Sequence, residues 1–229
     1  KAADAFGELL NLVEGGQTQY SLVDFDYEDI YNHKKSSGVD TKYSDMFYTT
    51  GQNWLMPGST EAIFRGPSTD FNGSNWNTTK TFGPKVKGIV EHDNIIHHPT
   101  ANYVKNYGMA NGLPLDDPES GFDPEYPFKD RDPRFYHDIV FDGFKYVNAT
   151  MPADMEYLRY TGLATNGTMR NAADGSRTGY FIQKQVPHTA NKYDGAYNWS
   201  DNLHTYLPYM RLGDIYTMYA EECAAFGGA

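Results

Sequence analysis

The sequence predicts a mainly α chain, with a helix at each end and a large irregular, loop-rich lobe carrying a few short strands between them. Three observations carry this expectation. Phe6, Leu9, Leu10 and Val13 fall at i, i+3, i+4 and i+7, which is one face of a helix. Leu207, Arg211, Leu212, Ile215, Tyr216, Tyr219, Ala220 and Cys223 trace a second helical stripe. Between them, residues 31–99 are rich in Gly, Ser, Thr, Asn and Pro, the composition of turns and loops.

The first helix is placed over residues 1–16, where Gly15-Gly16 ends it. The lobe covers residues 17–206. Its turn signals include Pro57-Gly58, Asn72-Gly73 and Gly83-Pro84, and a short apolar stretch occurs at Ala62-Ile63-Phe64. A short helix is expected over Thr100 to Ala110, with Tyr103, Val104 and Tyr107 on one face and Asn111-Gly112 ending it. Asp117-Pro118, Asp123-Pro124 and Asp132-Pro133 bias each Asp toward extended or turn geometry. Strands are expected over Tyr136 to Phe141 and over Gly179 to Val186, the latter with Phe181, Gln183 and Gln185 on one face and Tyr180, Ile182 and Lys184 on the other. The last helix, in residues 207–229, runs from about Leu207 to Phe226. Pro208 is tolerated in its first turn, and Gly213 and Ala220 would allow close helix packing. Each terminal stripe needs an apolar partner and has no further chain beyond it to supply one. Both ends are therefore expected to belong to something longer.

The chain has 229 residues, enough to bury a sizeable core. Its formal net charge is −11, which argues against a nucleic acid as partner, because phosphate binding needs a basic surface. Mean hydropathy is −0.66, and no apolar run approaches the roughly 20 residues that span a bilayer. The single cysteine, Cys223, permits no disulfide within the chain and reads as a core thiol on a helical stripe. Aromatic residues make up 15%, with 19 Tyr, which suits a surface that stacks on and hydrogen-bonds to uncharged polar ligands. For any one Tyr, the plainer role is a ring in the core with its hydroxyl in water.

Several kinds of chemistry are missing from the motifs. There is no GxSxG elbow, no phosphate-binding P-loop and no GxGxxG. His92 and His97 are five apart, about 140° round a helix, where a zinc pair wants i and i+4. A surface position or loop anchoring is the better reading for them. Asp116, Asp117, Glu119, Asp123, Asp130 and Asp132 could offer oxygen ligands to calcium, but without EF-hand spacing, and turn and cap chemistry is favoured. No cofactor is expected beyond that candidate calcium. A glycosidase would need two carboxylates about 5 to 9 Å apart, and no motif points to such a pair. Five Asn-x-Ser/Thr triplets occur, at Asn72, Asn77, Asn148, Asn166 and Asn198, a weak signal in an Asn-rich chain.

Two loops interleave rings with amides: Phe71-Asn72-Gly73-Ser74-Asn75-Trp76-Asn77 and Tyr193-Asp194-Gly195-Ala196-Tyr197-Asn198-Trp199. A sugar has an apolar C–H face and a rim of hydroxyls, and a ring beside amides matches both. The candidate ligand-binding residues are therefore Trp76, Asn75, Asn77, Trp54, Trp199 and Tyr197. The plain alternative for each Trp is a core anchor pinning its loop.

Six stretches, in order, resemble blocks of the SusD/RagB family of outer-membrane nutrient-binding lipoproteins. The opening helix with Gly-Gly and Tyr20-Ser21-Leu22 is similar to the family's helix and "GYSL" turn. Thr60 to Phe64 resembles its "E-x-IF" strand, and Pro99 to Pro114 its "P-T-x-x-L-V-x-x-Y-x-M-x-N-G-x-P" block. Lys129 to Phe135 resembles "NRDPR", with Asp130 where the family has Asn. Gly179 to Lys184 resembles "GYYIRK", with Gln183 for Arg, and Pro208 to Glu221 resembles "PYIRLAEVYLNYAEA". The resemblance covers nearly all of this chain but about the middle half of a family member. It implies a TPR-like superhelix of helix pairs carrying the irregular lobe. It implies a lipid anchor and first helices before Lys1, and a place on the cell surface at the outer membrane. It also implies a non-catalytic role: capture of glycans, or in some members peptides, for a SusC-like TonB-dependent barrel. Arg131, Asp132 and Arg134 are expected to form an ion-pair and turn element, and Arg211 a helix-buried partner for a carboxylate. Ligand residues of the family lie on variable loops, so none transfers by motif.

Overall fold

A computed structural model describes residues 1–23, 46–49, 60–66, 97–142, 176–186, 193 and 204–226. The elements are α1 (Ala2–Glu14), β1 (Tyr48–Thr49), β2 (Ala62–Arg65), α2 (Ala101–Lys105), α3 (Pro133–Asp138), β3 (Ile139–Val140), β4 (Phe181–Ile182), β5 (His204–Thr205), β6 (Pro208–Arg211) and α4 (Leu212–Ala225).

α1 ends as its glycines dictate. Gly15 N–H donates to Asn11 O at 2.9 Å, and Gly16 takes φ 67, a conformation that costs a residue without a Cβ little. The two terminal stripes find their partners in each other. Leu10 of α1 and Leu212 and Ile215 of α4 form one buried cluster, covered by Phe6, Leu9, Val13, Tyr216 and Tyr219. The small residue that lets the helices approach is Gly7, whose hypothetical Cβ would lie 3.3 Å from the Tyr219 ring. It is not Gly213, which faces the Glu61 carboxylate, nor Ala220, which is exposed. Cys223 is half-buried on this helix rather than in the core.

The last helix begins at Leu212, not near Leu207. Pro208–Arg211 instead pairs antiparallel with β2, and Leu212 N–H donates to Glu61 O at 2.9 Å. The switch from strand to helix is fixed at Arg211, whose N–H donates to Asp214 Oδ2 at 3.0 Å, satisfying a donor that would otherwise be orphaned at the helix start. Arg211 also pairs with Asp214 at 2.8 Å, so the expected carboxylate partner is found one turn along, on a half-buried side chain.

The strand expected over Tyr136 to Phe141 is a helix followed by a two-residue strand. Asp132 Oδ1 accepts from Arg134 N at 2.8 Å and Pro133 occupies the first turn, which together start α3. Phe135, Tyr136, His137 and Asp138 are all buried, so no face of α3 leaves a helical period in the sequence. The second expected strand shrinks to Phe181–Ile182, although Phe181 and Gln183 are buried on one face as the alternation requires.

Among the described residues the strands form three antiparallel pairs: β1 with β5, β2 with β6 and β3 with β4. Each pair joins distant parts of the chain, as in Ala62 with Arg211 and Ile139 with Ile182. Among the described residues the lobe is thus tied by short strand pairs and not by a continuous sheet. Its core is aromatic: Phe135 stacks on Phe141 at 4.9 Å, Phe128 meets Phe141 at 4.5 Å, and Tyr136 meets Phe135 edge-on at 5.3 Å.

α2 starts as expected, with Thr100 Oγ1 accepting from Tyr103 N at 3.2 Å, but ends at Lys105 instead of Ala110. Beyond it the chain folds back so tightly that a Cβ on Gly108 would sit 2.5 Å from Leu113 O. That carbonyl accepts from Met109 N at 2.9 Å, so it cannot retreat without breaking the turn. Gly108→Ala is expected to destabilise the chain by about 1–3 kcal/mol, the usual range for overpacking. Urea denaturation measures it, and a Gly108→Ala variant as stable as wild type would refute the close approach.

Candidate functional site

The chemistry of the lobe converges on Asp138, at the C-terminal end of α3 and almost fully buried. Its Oδ1 lies 2.8 Å from His137 Nδ1. Its Oδ2 accepts from the Tyr107 hydroxyl at 2.8 Å and from Lys184 Nζ at 3.0 Å. Burial alone would raise the Asp138 pKa. The His137 hydrogen bond and the Lys184 charge, with Tyr107, overcome it and hold the carboxyl below its ordinary value. Burial first, then the Asp138 charge, pushes the Tyr107 hydroxyl far upward, so it stays a donor. The Lys184 ammonium also lies over the Phe47 ring, 4.7 Å from its centre.

A cleft of about 320 Å3 opens beside this cluster. Pro99, Thr100, Tyr103, Tyr107, Ile139 and Ile182 line it together with Asp138 and Lys184. Tyr103 is 45% exposed and stands edge-on to Tyr107 at 5.8 Å, with the two hydroxyls 3.3 Å apart. The cleft therefore offers an exposed ring, an apolar wall and a held ammonium group, which is the make-up of a small-ligand site.

Two larger grooves, of about 650 and 790 Å3, share Met109, Gly112, Asp132 and Arg134. The Asp132–Arg134 ion pair crosses between them. On the β2–β6 pair, the Phe64 and Tyr209 rings lie 5.7 Å apart and exposed.

The residues singled out in sequence fare differently. Trp54, Asn75, Trp76, Asn77, Tyr197 and Trp199 lie outside the described residues, as does His92. The acidic run does turn work. Asp117, Asp123 and Asp132, each before a proline, accept from the N–H two residues on at 2.8 Å. Among the described residues, no group of three or more His, Cys, Asp or Glu is arranged to hold a metal ion. His98 anchors its loop edge-on to Phe181 at 5.4 Å. Burial, then the charge of Arg177, lowers its pKa.

Arg131 corrects an expectation. Asp132 and Arg134 do form the ion pair, but Arg131 is 3% exposed and its guanidinium donates to four backbone carbonyls: Gly108 (3.2 Å), Pro127 (2.9 Å), Val104 (3.1 Å) and Tyr107 (2.6 Å). The Val104, Tyr107 and Gly108 carbonyls lie at and beyond the end of α2, and Arg131 adds a second donor to Val104 O and Gly108 O, which also accept from Tyr107 N and Asp132 N. Two blocks that look separate in sequence are one unit in space. Asp130 takes φ 52, a left-handed position that Asn and Asp tolerate best.

Sequence reasoning did not single out Asp138, Lys184 or Tyr103 as a site. The local signal was the face that Tyr103 and Tyr107 were expected to share, although α2 ends at Lys105 before Tyr107.

A SusD-like protein from Bacteroides fragilis NCTC 9343 has a similar fold, with a TM-score of 0.55 at 21% identity. The match covers 99% of this chain and 40% of that one, so the chain spans under half the length of this relative. No curated protein sequence matches it. The sequence profile of the SusD family matches residues 60–229, taking in the Arg131 unit, the Asp138 cluster and α4. On that match, the chain belongs to the SusD family.

Proposed function

We propose that this chain is part of a non-catalytic, cell-surface nutrient-binding lipoprotein. It captures oligosaccharides or polysaccharides and hands them to a SusC-like TonB-dependent transporter. Family membership over residues 60–229 is the observation that carries the reading. No helix among the described residues is long and apolar enough to cross a membrane. In this proposal a lipid on a preceding N-terminal part holds the protein at the outer membrane. The packing of α1 on α4 supports reading each of them as a TPR-type helix, on either side of a lobe of residues 17–206. The ring-and-amide loops carry the glycan contacts: Trp76 with Asn75 and Asn77, and Trp199 with Tyr197, with Trp54 as a third ring.

Native affinity electrophoresis of the complete gene product against a polysaccharide panel tests this. The expected result is retardation by one polysaccharide, weakened about tenfold or more in Trp76→Ala. A stacked ring buries apolar area worth about 1.5–3 kcal/mol, and about 1.4 kcal/mol is tenfold. Retardation that survives the change would reject Trp76 but keep the function. No retardation by any member would move the assignment to oligopeptide capture, for which a peptide-library pull-down is the direct assay.

A further inference from the structure

We propose that the cleft between α2 and the β3–β4 pair is a separate subsite for one uncharged sugar ring. It stacks the ring on Tyr103 and offers it the Lys184 ammonium. The proposal rests on the glycan reading for its ligand class, but not for the existence of the cleft.

Three observations select this ligand. First, the cleft has a partly exposed ring. Tyr103 is 45% exposed, while the far side of the Tyr103–Tyr107 pair is tied to buried Asp138. The apolar C–H face of a pyranose covers such a ring well. Second, the ammonium is positioned and not spent. Lys184 has three N–H donors. One is directed at Asp138 Oδ2 at 3.0 Å, and the side chain remains 31% exposed at the cleft. A ligand hydroxyl can accept from it. Third, the charge is already matched. A ligand carboxylate drawn to Lys184 would meet the Asp138 carboxylate just behind it. Attraction and repulsion at such similar distances nearly offset, while the ligand still loses its hydration. A hydroxyl loses far less on entering. The pair therefore admits neutral sugars and rejects uronic acids, and the chain's net charge of −11 acts in the same direction. The volume of about 320 Å3 sits at the lower end of the about 300–1,000 Å3 typical of ligand sites, which suits a single ring.

Ile139 and Ile182 line the cleft and report on it directly. The complete protein, labelled with 13C at isoleucine methyls, is titrated with the methyl glycosides of glucose, galactose, mannose and N-acetylglucosamine. Methyl glucuronide and N-acetyl-tyrosine amide are the comparison probes. The expected result is a saturable shift of the Ile182 methyl with at least one neutral glycoside, at millimolar Kd. The glucuronide should bind at least fivefold more weakly. Tyr103→Ala should weaken binding about fivefold, while Tyr103→Phe, which keeps the ring, should stay within twofold. Tyr103 is exposed enough that neither change endangers the fold, and unchanged shifts of isoleucines outside the cleft verify it. No shift with any neutral glycoside overturns the subsite. So does an equal response to the glucuronide or to the tyrosine amide. These outcomes separate from the capture reading. Polysaccharide retardation with a silent Ile182 leaves capture standing and the subsite refuted. A responsive Ile182 without retardation does the reverse.

Discussion

Replacing Arg131 with Met should cost about 2–5 kcal/mol of folding stability, because each buried carbonyl left without a donor costs about 1–3 kcal/mol. Met keeps the length and the apolar stem of the side chain and removes its donors. Four backbone carbonyls, of Val104, Tyr107, Gly108 and Pro127, then lose the guanidinium donor, although Val104 O and Gly108 O keep the backbone N–H groups of Tyr107 and Asp132. The Arg131 residue is 3% exposed, so water cannot readily replace it. The guanidinium also lies 4.5 Å over the Phe135 ring, a contact Met keeps only as dispersion. Arg131→Lys should fall between the two, because one ammonium cannot match a planar fork that serves four acceptors. Since native domains are stable by only about 5–15 kcal/mol, the Met variant should show a large drop in its urea midpoint. A loss under about 1 kcal/mol would mean that the carbonyls find other donors and that Arg131 does not staple the lobe.

This residue also shows what could be read from the sequence and what could not. The terminal helices were legible because each buries a single face, so Leu10, Leu212 and Ile215 recur with a helical period. α3 was not, because Phe135 through Asp138 are buried all round and a surrounded helix has no period to show. The start of α4 was misplaced by four to five residues, since Pro208–Arg211 satisfies its backbone against β2 across the fold, which local propensity does not register. The Asp-Pro turns were legible because their chemistry is complete within three residues. Arg131 sits in a recognisable block, yet its acceptors lie up to 27 residues upstream, and an ion pair was the natural guess for an Arg beside an Asp. The cleft had the same difficulty. Tyr107 reaches Asp138 across 31 residues, and Lys184 comes from beside a different strand. The ring-and-amide loops gave the opposite case, a strong local pattern whose placement only a binding experiment can decide.

Asp138→Asn should destabilise the chain by about 3 kcal/mol at pH 7, and that cost should shrink in acid. Asn keeps the shape and one acceptor oxygen. Its amide group, however, must face either the Tyr107 hydroxyl and the Lys184 ammonium or His137. An amide facing Lys184 sets donor against donor, and one facing His137 forces the imidazole into the tautomer whose Nδ1 accepts. The Lys184 charge also loses its buried counter-ion. The pH dependence follows from the direction of the shift. The Asp138 carboxyl is held below its ordinary value in the folded state, despite burial that pulls the other way, by the His137 hydrogen bond, the Lys184 charge and Tyr107. A carboxyl depressed on folding contributes stability that is fully present above its unfolded pKa, about 3.9, and is lost as pH falls through the lower folded value. Wild type and the Asp138→Asn variant share every other titrating carboxylate, so the difference between them isolates this one. Urea midpoints at pH 7 and pH 3 give the comparison. The gap should be smaller at pH 3 than at pH 7, because the unfolded chain's carboxyl takes up a proton before the folded one does. A gap of equal size at both pH values would show that Asp138 acts through shape alone. A gap absent at pH 7 would remove the anchored charge pair on which the selectivity of the cleft for neutral ligands depends.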